Sequence, residues 1–68
     1  MPCVNIDIVE GRTPEQKKAA ADVITQALVD YCGAHAEHVY VIFHDIAGSD
    51  WVINGKTVAE RMSARGES

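Results

Sequence analysis

Hydrophobic and polar residues alternate strictly at the start of the chain, with Val4, Ile6 and Ile8 in one phase and Asn5 and Asp7 in the other. A period of two predicts a half-buried strand over residues 3–9. Gly11-Arg12 interrupts it. Thr13-Pro14-Glu15-Gln16 then supplies an N-cap, a proline for the first helical position, an acid for the first turn and a capping-box glutamine. A helix is therefore predicted from Pro14. Its inward face is read from Ala20, Ile24, Ala27, Leu28 and Tyr31, which recur at three- and four-residue spacing, while Lys17, Lys18, Asp22, Gln26 and Asp30 mostly take the other side. Gly33 offers the stop. The run Val39-Tyr40-Val41-Ile42-Phe43 is β-branched and aromatic on both faces, as an interior strand is. A crossover of this kind joins parallel strands and is right-handed in nearly all proteins. Ile46 to Asp50 reads as a loop carrying Gly48. Trp51-Val52-Ile53 and Lys56-Thr57-Val58 flank Asn54-Gly55, the pair best suited to a type I′ turn.

The fold class is thus α/β, a β-α-β unit with parallel strands plus a short C-terminal β-hairpin. It forms a single domain over residues 1–68, with an ordered core of about 2–62 and a polar tail, 63–68, expected to fray. Such a unit cannot cover both faces of its own sheet, and two-stranded sheets are weak alone. A chain of 68 residues buries only about 60% of the surface it exposes when unfolded. Proteins this small draw on disulfides, metals or partner subunits for stability.

Composition points to the last of these. Hydrophobic residues make up 47% of the chain and charged residues 24%, too apolar for disorder, so part of the apolar area is expected to face other copies. Cys3 and Cys32 are the two cysteines; no stretch resembles a secretory signal, and no apolar run approaches the roughly 20 residues of a membrane span. The expectation is a reduced, cytoplasmic homo-oligomer without a membrane partner. Six Lys and Arg against ten Asp and Glu, a net charge of −4, argue against nucleic acid, whose binding relies on clustered cations.

Pro2 is the most informative position. A proline at a strand start wastes no backbone donor. A small second residue also permits removal of the initiator methionine, which would leave Pro2 with a free secondary amine. An ordinary α-amino group titrates at about 7.7–8.0; an apolar pocket and nearby cations disfavour its protonated form and bring it towards neutrality, where a general base works best. The other candidates are weaker. His35, His38 and His44 with Cys3 and Cys32 show no familiar zinc spacing, so neither metal nor cofactor is expected. Cys3 reads as a small buried strand residue, Cys32 as an apolar helix-end residue, and Val58–Met62 as packing against a neighbouring subunit. His44 and Asp45 fit no motif and are read as loop residues.

Pro2, the strand Val4–Val9, Glu10-Gly11-Arg12-Thr13, Glu15-Gln16-Lys17, the strand Val39–Phe43 and Asn54-Gly55, in that order within one short chain, resemble the 4-oxalocrotonate tautomerase family. The likeness covers residues 2 to about 60. It implies a tautomerase/MIF-like fold and a cofactor-independent isomerase that interconverts enol and keto forms of a 2-oxo acid. It also implies a homohexamer arranged as a trimer of dimers. Pro2 matches the family's catalytic amino-terminal proline, Arg12 the arginine that binds a substrate carboxylate, and Trp51 the aromatic wall that keeps the pocket apolar. Tyr40 stands where the founding enzyme has a second arginine that polarises the 2-keto oxygen. A tyrosine hydroxyl donates one hydrogen bond and brings no charge, which favours a monocarboxylate or phenyl-bearing enol over a dicarboxylate.

Strand geometry adds a constraint independent of the resemblance. At about 3.3 Å per extended residue, Pro2 and Arg12 are on the order of 25–30 Å apart in one chain. They can share a pocket only if first strands of two chains run antiparallel. Two alternatives stay open at this point: a hydratase or dehalogenase of the same superfamily, in which a protonated proline acts as acid, and a non-catalytic oligomeric binding module.

Overall fold

The computed structural model describes residues 1–64. β1 (Cys3–Val9) leads through a turn into α1 (Pro14–Cys32), and β2 (Tyr40–Ile46) returns parallel to β1. β3 (Val52–Ile53) and β4 (Lys56–Thr57) form an antiparallel hairpin that runs directly into α2 (Val58–Ala64). Single 3₁₀ turns at Ala36–His38 and Gly48–Asp50 precede β2 and β3.

Local chemistry accounts for the boundaries. Thr13 caps α1 by accepting from the Gln16 N–H (3.1 Å), and the Gln16 side chain accepts from the Thr13 N–H (2.9 Å), with Pro14 at the first helical position. Gly33, at φ 67°, ends the helix as expected. Asn54 and Gly55 have φ of 51° and 78°, the left-handed pair that a type I′ turn requires.

β1 and β2 pair in register from Cys3–Tyr40 to Val9–Ile46. Alternation sorts the strands into two faces. Val4, Ile6 and Ile8 with Val41 and Phe43 form the half-buried face under α1. Lys17 Nζ reaches Asp45 Oδ2 at 2.6 Å on that side. Cys3, Asn5 and Asp7 with Tyr40, Ile42 and His44 form the other face, which no element among the described residues covers.

Several local expectations are revised. The inward residues of α1 are Lys17, Ala21, Ile24, Thr25, Leu28 and Val29; Ala20, Ala27 and Tyr31 point outward, Tyr31 at 88% exposure. The stripe was displaced because Lys17 and Thr25 count as polar, although a lysine stem packs readily with its ammonium outside. β2 extends through His44 and Asp45 to Ile46 rather than ending at Phe43, because β1 offers partners over all seven positions. Val58–Met62 is helical, part of α2, and lies near the Gly48–Asp50 turn. Cys3 is exposed, not buried, and Cys32 is exposed too. Of the expected tail, Ser63 and Ala64 are helical, and 65–68 lie outside the described residues.

No described side chain is fully buried. The radius of gyration is 15.3 Å, against about 11 Å for a compact chain of this length. The exposed area, 5118 Å², exceeds by roughly 900 Å² the ~4,200 Å² typical of a folded monomer of this mass.

Candidate active site

The parallel pairing of β1 with β2 decides where each candidate lies. Pro2 precedes β1 and Tyr40 begins β2, so both stand at the same end of the sheet, where the Pro2 carbonyl accepts from the Tyr40 N–H at 2.9 Å. Pro2 is half-buried and Tyr40 50% exposed. Met1, bonded to the Pro2 nitrogen, is 78% exposed. Arg12 and Trp51 belong to the far end. Glu10 N–H donates to the Ile46 carbonyl (2.9 Å) and carries the sheet pairing one residue past β1. Arg12 follows, its Nη1 donating to the Val9 carbonyl at 3.0 Å. That bond holds the exposed guanidinium beside the strand end, one residue before the Thr13 cap of α1, where free N–H groups and the helix dipole favour an anion. Trp51 is half-buried between the Gly48–Asp50 turn and β3, and its carbonyl accepts from the Val58 N–H at 2.8 Å.

One chain thus pairs Pro2 with Tyr40 at one end and sets Arg12 and Trp51 at the other, separated by the roughly 20 Å or more of a seven-residue strand. Two surface depressions among the described residues, one around Ile53, Lys56 and Arg61 and one around Val9, Gly48 and Met62, are lined by none of the four. The remaining chemically capable side chains are dispersed. His35 and His38 meet edge to face at 5.9 Å. His44 lies on the uncovered sheet face with Nε2 3.4 Å from Asn5 Oδ1, and Asp45 is bound to Lys17 on the opposite face. No helix among the described residues is long and apolar enough to cross a membrane.

Sequence reasoning overlooked α2, whose start fixes the hairpin behind Trp51. The signal was present in Thr57-Val58-Ala59-Glu60. Thr57 Oγ1 accepts from the Glu60 N–H and Glu60 Oε2 from the Thr57 N–H, both at 3.0 Å, a second capping box.

A two-stranded parallel β-α-β unit followed by a short antiparallel hairpin, with one sheet face left open among the described residues, defines a class of small α/β proteins. Comparison with known proteins narrows the class. The family model described as "Tautomerase enzyme" matches residues 2–61. A 2-hydroxymuconate tautomerase of Comamonas testosteroni is 42% identical over 60 residues, covering 88% of this chain and 95% of that protein. Among solved structures, TomN, a 4-oxalocrotonate tautomerase homologue of the tomaymycin biosynthetic pathway, superimposes with a TM-score of 0.86 at 31% identity, covering 91% of this chain and 95% of that one. A heterohexameric 4-oxalocrotonate tautomerase from Chloroflexus aurantiacus gives 0.82 at 27% identity, over 88% and 97% of the two chains. The chain belongs to the tautomerase family, in its 4-oxalocrotonate tautomerase group, and is an isomerase.

Proposed function

We propose that the protein is a cofactor-independent keto–enol tautomerase of 2-oxo acids whose site is shared between chains. With Met1 removed, the Pro2 nitrogen takes a proton from the enol hydroxyl or the α-carbon. The same nitrogen returns that proton to another carbon, so the proline is regenerated in each turnover. Arg12 of a neighbouring chain holds the substrate carboxylate by charge-assisted hydrogen bonds. Tyr40 donates to the oxygen on which charge develops, and Trp51 excludes water. The observation that carries the reading is the position of Pro2 and Arg12 at opposite ends of β1. An antiparallel pair of first strands would bring each proline to the other chain's arginine and give two sites per dimer.

The exposed surface supports the same assembly. Its excess of roughly 900 Å² is close to the ~800 Å² that one partner contributes to a stable interface. The heterohexameric relative supports a hexamer of three such dimers. Tyr40, offering no second cation, favours a monocarboxylate such as phenylenolpyruvate over 2-hydroxymuconate.

The test is ketonisation of phenylenolpyruvate by the processed protein, with intact mass establishing that Met1 is gone. Pro2→Ala is expected to lose roughly a hundredfold or more in turnover. In the parent, the free amine is the reacting form, so kcat/KM falls as pH drops through the titration of the prolyl nitrogen. Equal activity of parent and Pro2→Ala sinks the mechanism. A rate that instead rises on acidification assigns the proline the role of acid.

A further inference from the structure

We infer that Arg61 is a positioning residue for the substrate pocket, gripping through the Ile53 carbonyl the segment that carries Trp51. The inference rests on the proposed role of Trp51 as pocket wall and names what holds that wall in place.

Three contacts tie α2 to the residues around Trp51. The Val58 N–H, first in the helix, donates to the Trp51 carbonyl at 2.8 Å. Arg61 Nη2, one turn further on, donates to the Ile53 carbonyl at 3.2 Å. Gly48, just before Trp51, lies so close to α2 that a Cβ there would sit 3.2 Å from the Ala59 nitrogen. Carbonyls two residues apart in an extended strand share an edge, so α2 holds Trp51 and Ile53 along a single edge at two points.

The guanidinium does more than lie on the surface. Arg61 Nε has no exposed surface and no hydrogen-bond partner. A buried donor without a partner is costly, and the orientation is held by the bond from Nη2 to the Ile53 carbonyl, beside a surface depression that Arg61 lines together with Ile53, Val58 and Ala64. Releasing that bond removes one of the two points that hold this edge and leaves Trp51 tied by the Val58 N–H alone, so its seating loosens. The hairpin alone resists such movement poorly, since β3 and β4 pair over only two residues each.

Trp51 is the chain's single tryptophan, so its emission reports on the segment directly. Arg61→Met keeps the length of the stem and removes the donors; Arg61→Lys keeps one donor able to reach a carbonyl. In the assembled protein, Arg61→Met is expected to move Trp51 emission to longer wavelength and to raise KM for phenylenolpyruvate roughly threefold or more, with kcat changed less. Arg61→Lys is expected to recover most of both effects. Gly48→Ala, which pushes α2 away without touching Arg61, should shift emission in the same direction, and it carries the test if Arg61→Met does not assemble. Unmoved emission in the variant that carries the test overturns the inference, as do equal effects of Met and Lys at position 61. Shifted emission at parental KM also overturns it if Trp51→Ala raises KM. If Trp51→Ala leaves KM parental, the reading of Trp51 as pocket wall is what falls.

Discussion

Arg12 and Tyr40 would meet a substrate with unequal chemistry, one a planar cation with a fork of donors, the other a neutral hydroxyl. Removing the cation should cost mainly affinity. Hydrogen bonds to a charged group contribute about 1.5–3 kcal/mol, so Arg12→Ala is expected to lower kcat/KM roughly ten- to a hundredfold, mostly through KM. Steady-state ketonisation kinetics decide this, and an unchanged KM removes Arg12 from the carboxylate site. Tyr40→Arg tests the other side of the contrast. It should raise the ratio of kcat/KM for 2-hydroxymuconate to that for phenylenolpyruvate, because a second cation favours a second carboxylate. A ratio unchanged from the parent would show that residue 40 does not read the far end of the substrate. At this scale Pro2 and Arg12 point to the proposed chemistry only in combination, since each alone is an ordinary strand-start proline and turn arginine.

Element by element, the legible features were those governed by near neighbours in the chain. The Thr13–Gln16 box, Pro14, Gly33 and Asn54-Gly55 each set a boundary through contacts within a few residues, and each lies where it was expected. Features governed by distant partners were less legible. The far end of β2 depends on β1 to pair His44 and Asp45, and the rotation of α1 depends on which stripe the sheet accepts. α1 carries two apolar stripes. Ile24 and Leu28 face the strands, while Ala20, Val23, Ala27 and Tyr31 face outward. α2 is different, because its capping box was local and was simply overlooked. The cap of α1 yields a direct prediction. Thr13→Ala removes the acceptor for the Gln16 N–H and should cost about 1 kcal/mol per chain. Urea titration at fixed protein concentration measures it, and an unchanged midpoint would mean that assembly, not the cap, limits the stability of α1.

At the scale of the molecule, the proposed shared site would separate two kinds of subunit that are impaired for different reasons, one in turnover and one in carboxylate binding. The contrast is read at substrate concentrations below the parental KM. Pro2→Ala subunits retain Arg12, and Arg12→Ala subunits retain Pro2. Refolded together, they should form mixed pairs in which one of the two sites is intact. Random pairing across a two-fold axis restores about a quarter of the parental site density. Sites confined to one chain would gain nothing from mixing, so the assay reports directly on whether Pro2 and Arg12 cooperate across chains. The four candidate positions, and the separation of Pro2 from Arg12, were proposed from the sequence; what the structure added is the Tyr40 N–H bond to the Pro2 carbonyl, which sets those two at the same end.

A chain with no fully buried side chain among its described residues has little to stabilise it alone, and in the proposed assembly it gains that stability only on meeting another. Catalytic output should then track gene dosage more steeply than in direct proportion, since each additional polypeptide also raises the odds that its siblings find mates. Scarce expression would leave loose chains open to proteolysis, whereas abundant expression would convert nearly all of them into working enzyme.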